Sequence, residues 1–91
     1  MNEQHIHMIV RGMVQGVGFR YFVYQRAVRL GLKGFVRNLP DGNVEVEVSG
    51  SRSLVEELIQ MVKVGTRASS VTDVQIQIIN SDLNFTSFDI K

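Results

Sequence analysis

Hydrophobic and polar positions alternate along three stretches of this chain and follow a helical period along two others. His5 to Met13 alternates loosely and predicts a strand. From Phe19 to Leu30, Phe19, Phe22, Val23, Ala27 and Leu30 share one face, with Gln25, Arg26 and Arg29 opposite; this predicts a helix, stopped by Gly31. Gly34 to Leu39 predicts a second strand. It turns through Pro40-Asp41-Gly42-Asn43 into a third, where Val44, Val46 and Val48 alternate with Glu45, Glu47 and Ser49. Those two strands form a hairpin. Ser53-Leu54-Val55-Glu56 has the spacing of a capping box and predicts a second helix. Its apolar stripe is Leu54, Val55, Leu58, Ile59, Met61 and Val62, and Gly65 ends it. Thr72 to Ile79 alternates again, with Val74, Ile76 and Ile78 on one face. Phe85, Phe88 and Ile90 predict a short final strand.

The order βαββαβ with an extra C-terminal strand predicts an α+β fold. It is the ferredoxin-like split βαβ sandwich, with two helices on one face of an antiparallel sheet. Ninety-one residues allow one domain, here residues 1–91. A content of 44% apolar and 21% charged residues, with Pro40 the sole proline, is that of a globular chain. The absence of cysteine excludes a disulfide framework, a thiolate metal site and a cysteine nucleophile. No signal-peptide pattern opens the chain, and no apolar run approaches the ~18 residues of a membrane span. The expectation is a cytoplasmic protein without a membrane partner.

The net charge of +1 hides an asymmetry. Between Gln4 and Pro40 there is no acid, against Arg11, Arg20, Arg26, Arg29, Lys33 and Arg37. From Asp41 onward there are eight acids and four bases. Either the acidic half folds over those cations, which is the expectation for most of the six, or some of them meet an external anion. An isoelectric point near 8.2 lies below the ~9 of a dedicated nucleic-acid binder.

Candidate chemistry is sparse. His5 and His7 share a strand face, but two histidines without a third ligand make a weak metal site. Gln15-Gly16-Val17-Gly18-Phe19-Arg20 is more informative, because it joins a strand to a helix. Two glycines let backbone N–H groups converge, and the helix N-terminus adds free N–H groups and positive partial charge. The result is an anion cradle of phosphate size. Arg20 in a first helical turn opposes the macrodipole at a cost of roughly 0.3–1 kcal/mol, which a bound anion would offset. Asn38 sits where strands disfavour asparagine, either to start the turn or to hold a water or substrate oxygen. In a split βαβ unit the first two strands run parallel, which brings Asn38 to the same end as the loop.

These residues carry a family resemblance. Gly12-Met13-Val14-Gln15-Gly16-Val17-Gly18-Phe19-Arg20, then Gly34-Phe35-Val36-Arg37-Asn38-Leu39-Pro40-Asp41-Gly42 and Val44-Glu45-Val46, resembles acylphosphatase. The resemblance is closest from about Met8 to Gly50 and continues more loosely to Ile90. It implies a small hydrolase that splits acyl phosphates into a carboxylate and inorganic phosphate. It implies that backbone N–H groups of Gln15, Gly16, Val17, Gly18 and Phe19 cradle the phosphate, that Arg20 binds its oxygens and that Asn38 orients the attacking water. No metal, other cofactor or phosphoenzyme is expected, and the partner is a small-molecule acyl phosphate met by a monomer. Gly65-Thr66-Arg67-Ala68-Ser69-Ser70 departs from the family's usual Gly-Pro.

Two other classes compete. One is a non-enzymatic ferredoxin-like module that binds phosphate or RNA. Against RNA, Phe35, Phe85 and Phe88 do not read as a paired stacking platform, so no nucleic-acid partner is expected. The other is an accessory domain of a larger carbamoyl-transferring protein; a start at Met1 and an end after one domain favour the free-standing enzyme.

Overall fold

The computed structural model describes residues 3–80 and 84–91. Strand β1 spans Glu3–Met13, helix α1 Phe19–Arg29, β2 Lys33–Asn38, β3 Val44–Ser51, α2 Arg52–Val64, β4 Ser70–Ile78 and β5 Phe88–Ile90. The sheet order is β4-β1-β3-β2-β5. β3 runs antiparallel to both β1 and β2, so β1 and β2 are parallel to each other. β5 pairs with β2 in parallel, which makes the sheet mixed.

Alternation decides which face is dry. Ile6, Met8 and Val10 of β1, Val36 of β2, and Val44, Val46 and Val48 of β3 are buried on the helix side. Phe19, Val23 and Ala27 of α1 and Val55, Leu58 and Val62 of α2 pack on them. At roughly 1.5–3 kcal/mol for each large apolar side chain fully buried, this shared core dominates the favourable side of folding.

Four local features differ from expectation. The N-cap of α2 lies two residues before the expected one, because β3 runs straight into the helix. Ser51 is therefore the N-cap residue, no side chain caps the helix, and Ser53 and Glu56 lie inside it. Glu56 accepts from Arg52 Nε at 3.3 Å instead of reaching back to the cap. In β4, Val74, Ile76 and Ile78 do share the helix face, opposite Val10, Met8 and Ile6. Only Val74 of the three packs on the core, however, because β4 is an edge strand whose later residues the helices do not cover. Phe85 lies outside β5 and meets His5 and Phe35 edge-on, with ring centroids 5.7 and 6.0 Å apart. Finally, the segment after Gly65 closes on itself without proline. Ser69 Oγ accepts from the Thr66 N–H at 2.8 Å and donates to the Thr66 carbonyl at 3.1 Å.

Candidate active site

The site is assembled where β1 hands over to α1. Gly16 and Gly18 adopt φ of 73° and 74°, and no atom lies within 4 Å of where a Cβ would stand. The left-handed backbone therefore calls for glycine here, not crowding. Gly18 is the N-cap residue of α1. No side chain caps this end and no acid occupies the first turn. The first closure is Phe22 N–H onto the Gly18 carbonyl at 3.1 Å. The amides before it have no intrahelical acceptor and carry the positive end of the macrodipole.

Gln15 anchors this loop to the far end of β2. Its amide donates to the carbonyls of Leu39 and Asn43, both at 2.8 Å. Asp41 stiffens the receiving turn by accepting from the Asn43 backbone N–H at 3.0 Å and from its side-chain amide at 3.1 Å. The parallel course of β1 and β2 thus brings the loop and Asn38 together, as expected from topology.

Between them lies a pocket of about 180 Å³, lined by Val14, Gly16, Gly18, Phe19, Arg20, Tyr21, Asn38 and Ile90. Five of the residues singled out from the sequence are in this lining. Gln15 and Val17 are not: the Gln15 side chain is spent on the clamp, and Val17 packs against the core. Arg20 donates from Nη1 to the Lys91 main-chain oxygen at 3.2 Å. Among the described residues no Asp or Glu lies within 4.0 Å of its guanidinium. The Asn38 amide oxygen is buried and has no hydrogen-bond partner among the described residues. A buried, unsatisfied amide oxygen costs roughly 1–3 kcal/mol, so its place in the pocket that Arg20 also lines marks a site built for something polar.

The remaining cations correct the charge expectation. Of the six early bases, only Arg11 and Arg37 meet carboxylates among the described residues: Asp73 at 4.0 Å and Glu45 at 2.6 Å. Arg26 lies over the Phe22 ring at 5.1 Å. Arg26 and Arg29 occupy the last turn of α1, where the helix dipole already favours a cation. His5 and His7 hold no metal cluster among the described residues. Each pairs across the sheet's other face, His5 with Glu47 at 2.8 Å and His7 with Glu45 at 2.7 Å. Burial pushes the Glu45 carboxyl up, but hydrogen bonds from His7 and Arg37 outweigh it and leave it below the usual range. Phe35 and Phe85 meet on this face, Phe85 lying outside any strand. The contact is edge-on, and Lys91 Nζ sits 4.4 Å above the Phe35 ring. Glu45 and Glu47 stand on the same face.

Sequence reasoning missed the Gln15 clamp and the two apolar walls, Tyr21 and Ile90. The only available signal for those walls was an aromatic directly after Arg20 and an apolar residue ending the last strand.

Comparison with known proteins bears on this pocket. The acylphosphatase family model matches residues 6–90. An acylphosphatase from Chlorobaculum tepidum is 47% identical over 90 residues, covering 99% of this chain and 98% of that protein. The crystal structure of acylphosphatase from Bacillus subtilis matches with a TM-score of 0.92 at 38% identity, over 96% of this chain and 97% of that one. Full-length HypF, solved in its phosphate- and nucleotide-bound form, matches at a TM-score of 0.90 and 31% identity; that match covers 99% of this chain and 12% of HypF. With a family model spanning nearly its whole length, and near-complete relatives sharing almost half its residues, the chain belongs to the acylphosphatase family of enzymes.

Proposed function

We propose that this enzyme hydrolyses acyl phosphates without a metal. Arg20 and the amides of the 15–19 loop hold the phosphate, and Asn38 orients the attacking water. The observation that carries this reading is the unpartnered Asn38 amide oxygen, buried in the same pocket as the Arg20 guanidinium. An amide can accept from a water through its oxygen and donate through its nitrogen. Arginine offers a fixed fork of donors matched to phosphate oxygens. Among the described residues, the pocket lining contains no carboxylate or imidazole side chain to ligate a cation, which supports metal-free chemistry.

Neither Arg20 nor Asn38 can take a proton at neutral pH. The water oxygen attacks phosphorus as the bond from phosphorus to the acyl oxygen breaks. The carboxylate leaves with that bond's electron pair, and the water's proton passes to a phosphate oxygen. Phosphoryl transfer through a loose transition state asks chiefly for positioning and charge stabilisation, which a guanidinium and converging amides supply.

The test is hydrolysis of benzoyl phosphate, followed by ultraviolet absorbance with excess chelator. The expected rate is undiminished by chelator and nearly flat around neutral pH. Loss of activity on chelation would refute the metal-free reading. A bell-shaped profile with limbs near pH ~6 and ~8 would point to a titrating side chain instead. Hydrolysis no faster than the spontaneous rate would favour a phosphate- or RNA-binding module.

A further inference from the structure

The pocket holds more surface than phosphate and water need. Gly16, Gly18, Phe19 and Arg20 belong to the loop and the first turn of α1, and Asn38 to the water. What remains of the lining is Val14, Tyr21 and Ile90. Val14 is buried at 1% exposure, so Tyr21 and Ile90, 57% and 42% exposed, supply the accessible apolar wall. An isolated exposed apolar side chain needs no explanation. These two differ in lining the same pocket as Arg20 from two separate elements.

Tyr21 is also held in place. Its ring stacks on Tyr24 with centroids 6.2 Å apart and planes 25° apart. Tyr24 in turn leans on Phe88 at 6.4 Å, and Phe88 is buried in the core. An aromatic ladder therefore runs from the core to the pocket rim and restrains a ring that solvent would otherwise leave mobile. Ile90 is fixed by β5, which pairs with Val36 in the sheet. The Lys91 main-chain oxygen, next along the chain, receives the Arg20 hydrogen bond. A rigid apolar wall loses little conformational entropy on binding, which is how such surfaces give selectivity.

We infer that Tyr21 and Ile90 seat the acyl group, and that the enzyme prefers acyl phosphates whose acyl group is aromatic or branched and apolar over acetyl phosphate. The inference rests on the acyl-phosphate reading above. In-line displacement puts leaving group and attacking water on opposite sides of phosphorus. A carboxylate leaving group carrying a ring or branched chain then needs an apolar seat, and Tyr21 with Ile90 is the accessible apolar surface of the pocket lining.

The experiment compares kcat/KM for benzoyl phosphate and acetyl phosphate in the wild-type protein, Tyr21→Ala, Tyr21→Phe and Ile90→Ser. Measuring both substrates in each variant cancels their different intrinsic reactivities. Tyr21→Ala and Ile90→Ser are expected to lower kcat/KM for benzoyl phosphate about 3- to 10-fold more than for acetyl phosphate. Tyr21→Phe keeps the ring and is expected to keep the preference. Both side chains are largely exposed, so thermal unfolding of the variants should stay close to wild type; should Tyr21→Ala not fold, Ile90→Ser decides. Equal losses on both substrates, or no loss on benzoyl phosphate, would overturn the acyl seat while leaving the hydrolase intact. A wild-type protein that cleaves neither substrate would overturn the acyl-phosphate reading itself.

Discussion

Replacing Asn38 by alanine should cost activity and leave stability unharmed. The side chain's amide oxygen is buried and unpartnered in the folded protein. Leaving such a group unsatisfied costs roughly 1–3 kcal/mol. Removing it relieves that penalty and forfeits the packing of a short, half-buried side chain, so the two terms oppose each other. The net expectation is a stability change between zero and about +1 kcal/mol. In a domain of this size that is a rise in Tm of no more than ~4–8 °C. Turnover should move the other way and much further, because a lost preorganised partner for the attacking water costs about 10²–10³ in kcat. The assay is thermal unfolding paired with steady-state hydrolysis of benzoyl phosphate on the same preparation. A variant that melts more than ~4 °C below wild type, with kcat within threefold, would show that Asn38 serves the turn before Pro40 and not the reaction.

Three other perturbations probe the same reasoning. Arg20→Ala should lower kcat/KM by at least ~10³, as charge-stabilising arginines do in phosphoryl transfer. Inorganic phosphate is expected to raise the Tm of the wild type, and Arg20→Ala should abolish that rise; a retained rise would mean that the loop alone holds the anion. Gly18→Ala meets open space and pays only for a left-handed backbone, about 1–2 kcal/mol, whereas the Cβ of Gly34→Ala would run into the Glu47 carbonyl across the β2–β3 pair. Urea unfolding should therefore find Gly18→Ala folded and Gly34→Ala unfolded or nearly so, and equal midpoints would refute the distinction. Glu45 has its pKa lowered by folding, so its contribution is present above the ordinary value of 4.5 and is lost as pH falls through the folded value. Arg37→Ala should cost ~0.2–1 kcal/mol at pH 7, the arginine being half exposed, and progressively less as pH falls through the folded value; a deficit that widens on acidification would contradict the sign.

The strands and the loop were legible because their signals are local. Val44, Val46 and Val48 alternate with polar neighbours, and only a pleated strand dries every second residue. Gly16 and Gly18 announce a left-handed turn wherever the chain carries them. Asn38 needed one further step, the parallel course of β1 and β2. What stayed hidden depends on how much cover a residue receives from distant chain. Ile76 and Ile78 have the alternation of a buried face, yet they sit on an edge strand beyond the helices. Ser53 has the spacing of a capping residue, yet the direct passage of β3 into α2 starts the helix at Arg52 and makes Ser51 the N-cap residue. Tyr21 lies off the apolar face of α1, so helical periodicity assigns it to solvent, and only the β5 wall shows that it borders a pocket.

The site itself is recognisable as the place where several local rules fail together. α1 begins without a capping side chain, where a good cap is worth about 1 kcal/mol. A guanidinium stands in the first helical turn, against the dipole, with no Asp or Glu within 4.0 Å among the described residues. An amide oxygen is buried without a donor. Each is a minor defect alone, and each has cheap remedies: a serine at position 18, an acid near Arg20, an apolar residue at 38. All three surround one pocket, and one occupant removes them together. On the proposed reading, an anion would accept from the uncapped amides, neutralise the arginine and bring a water within reach of the amide oxygen. A free protein that concentrates its unsatisfied groups at one point is complementary to a ligand of stated charge and size, and that complementarity, more than the fold, is what makes phosphate chemistry the reading to test first.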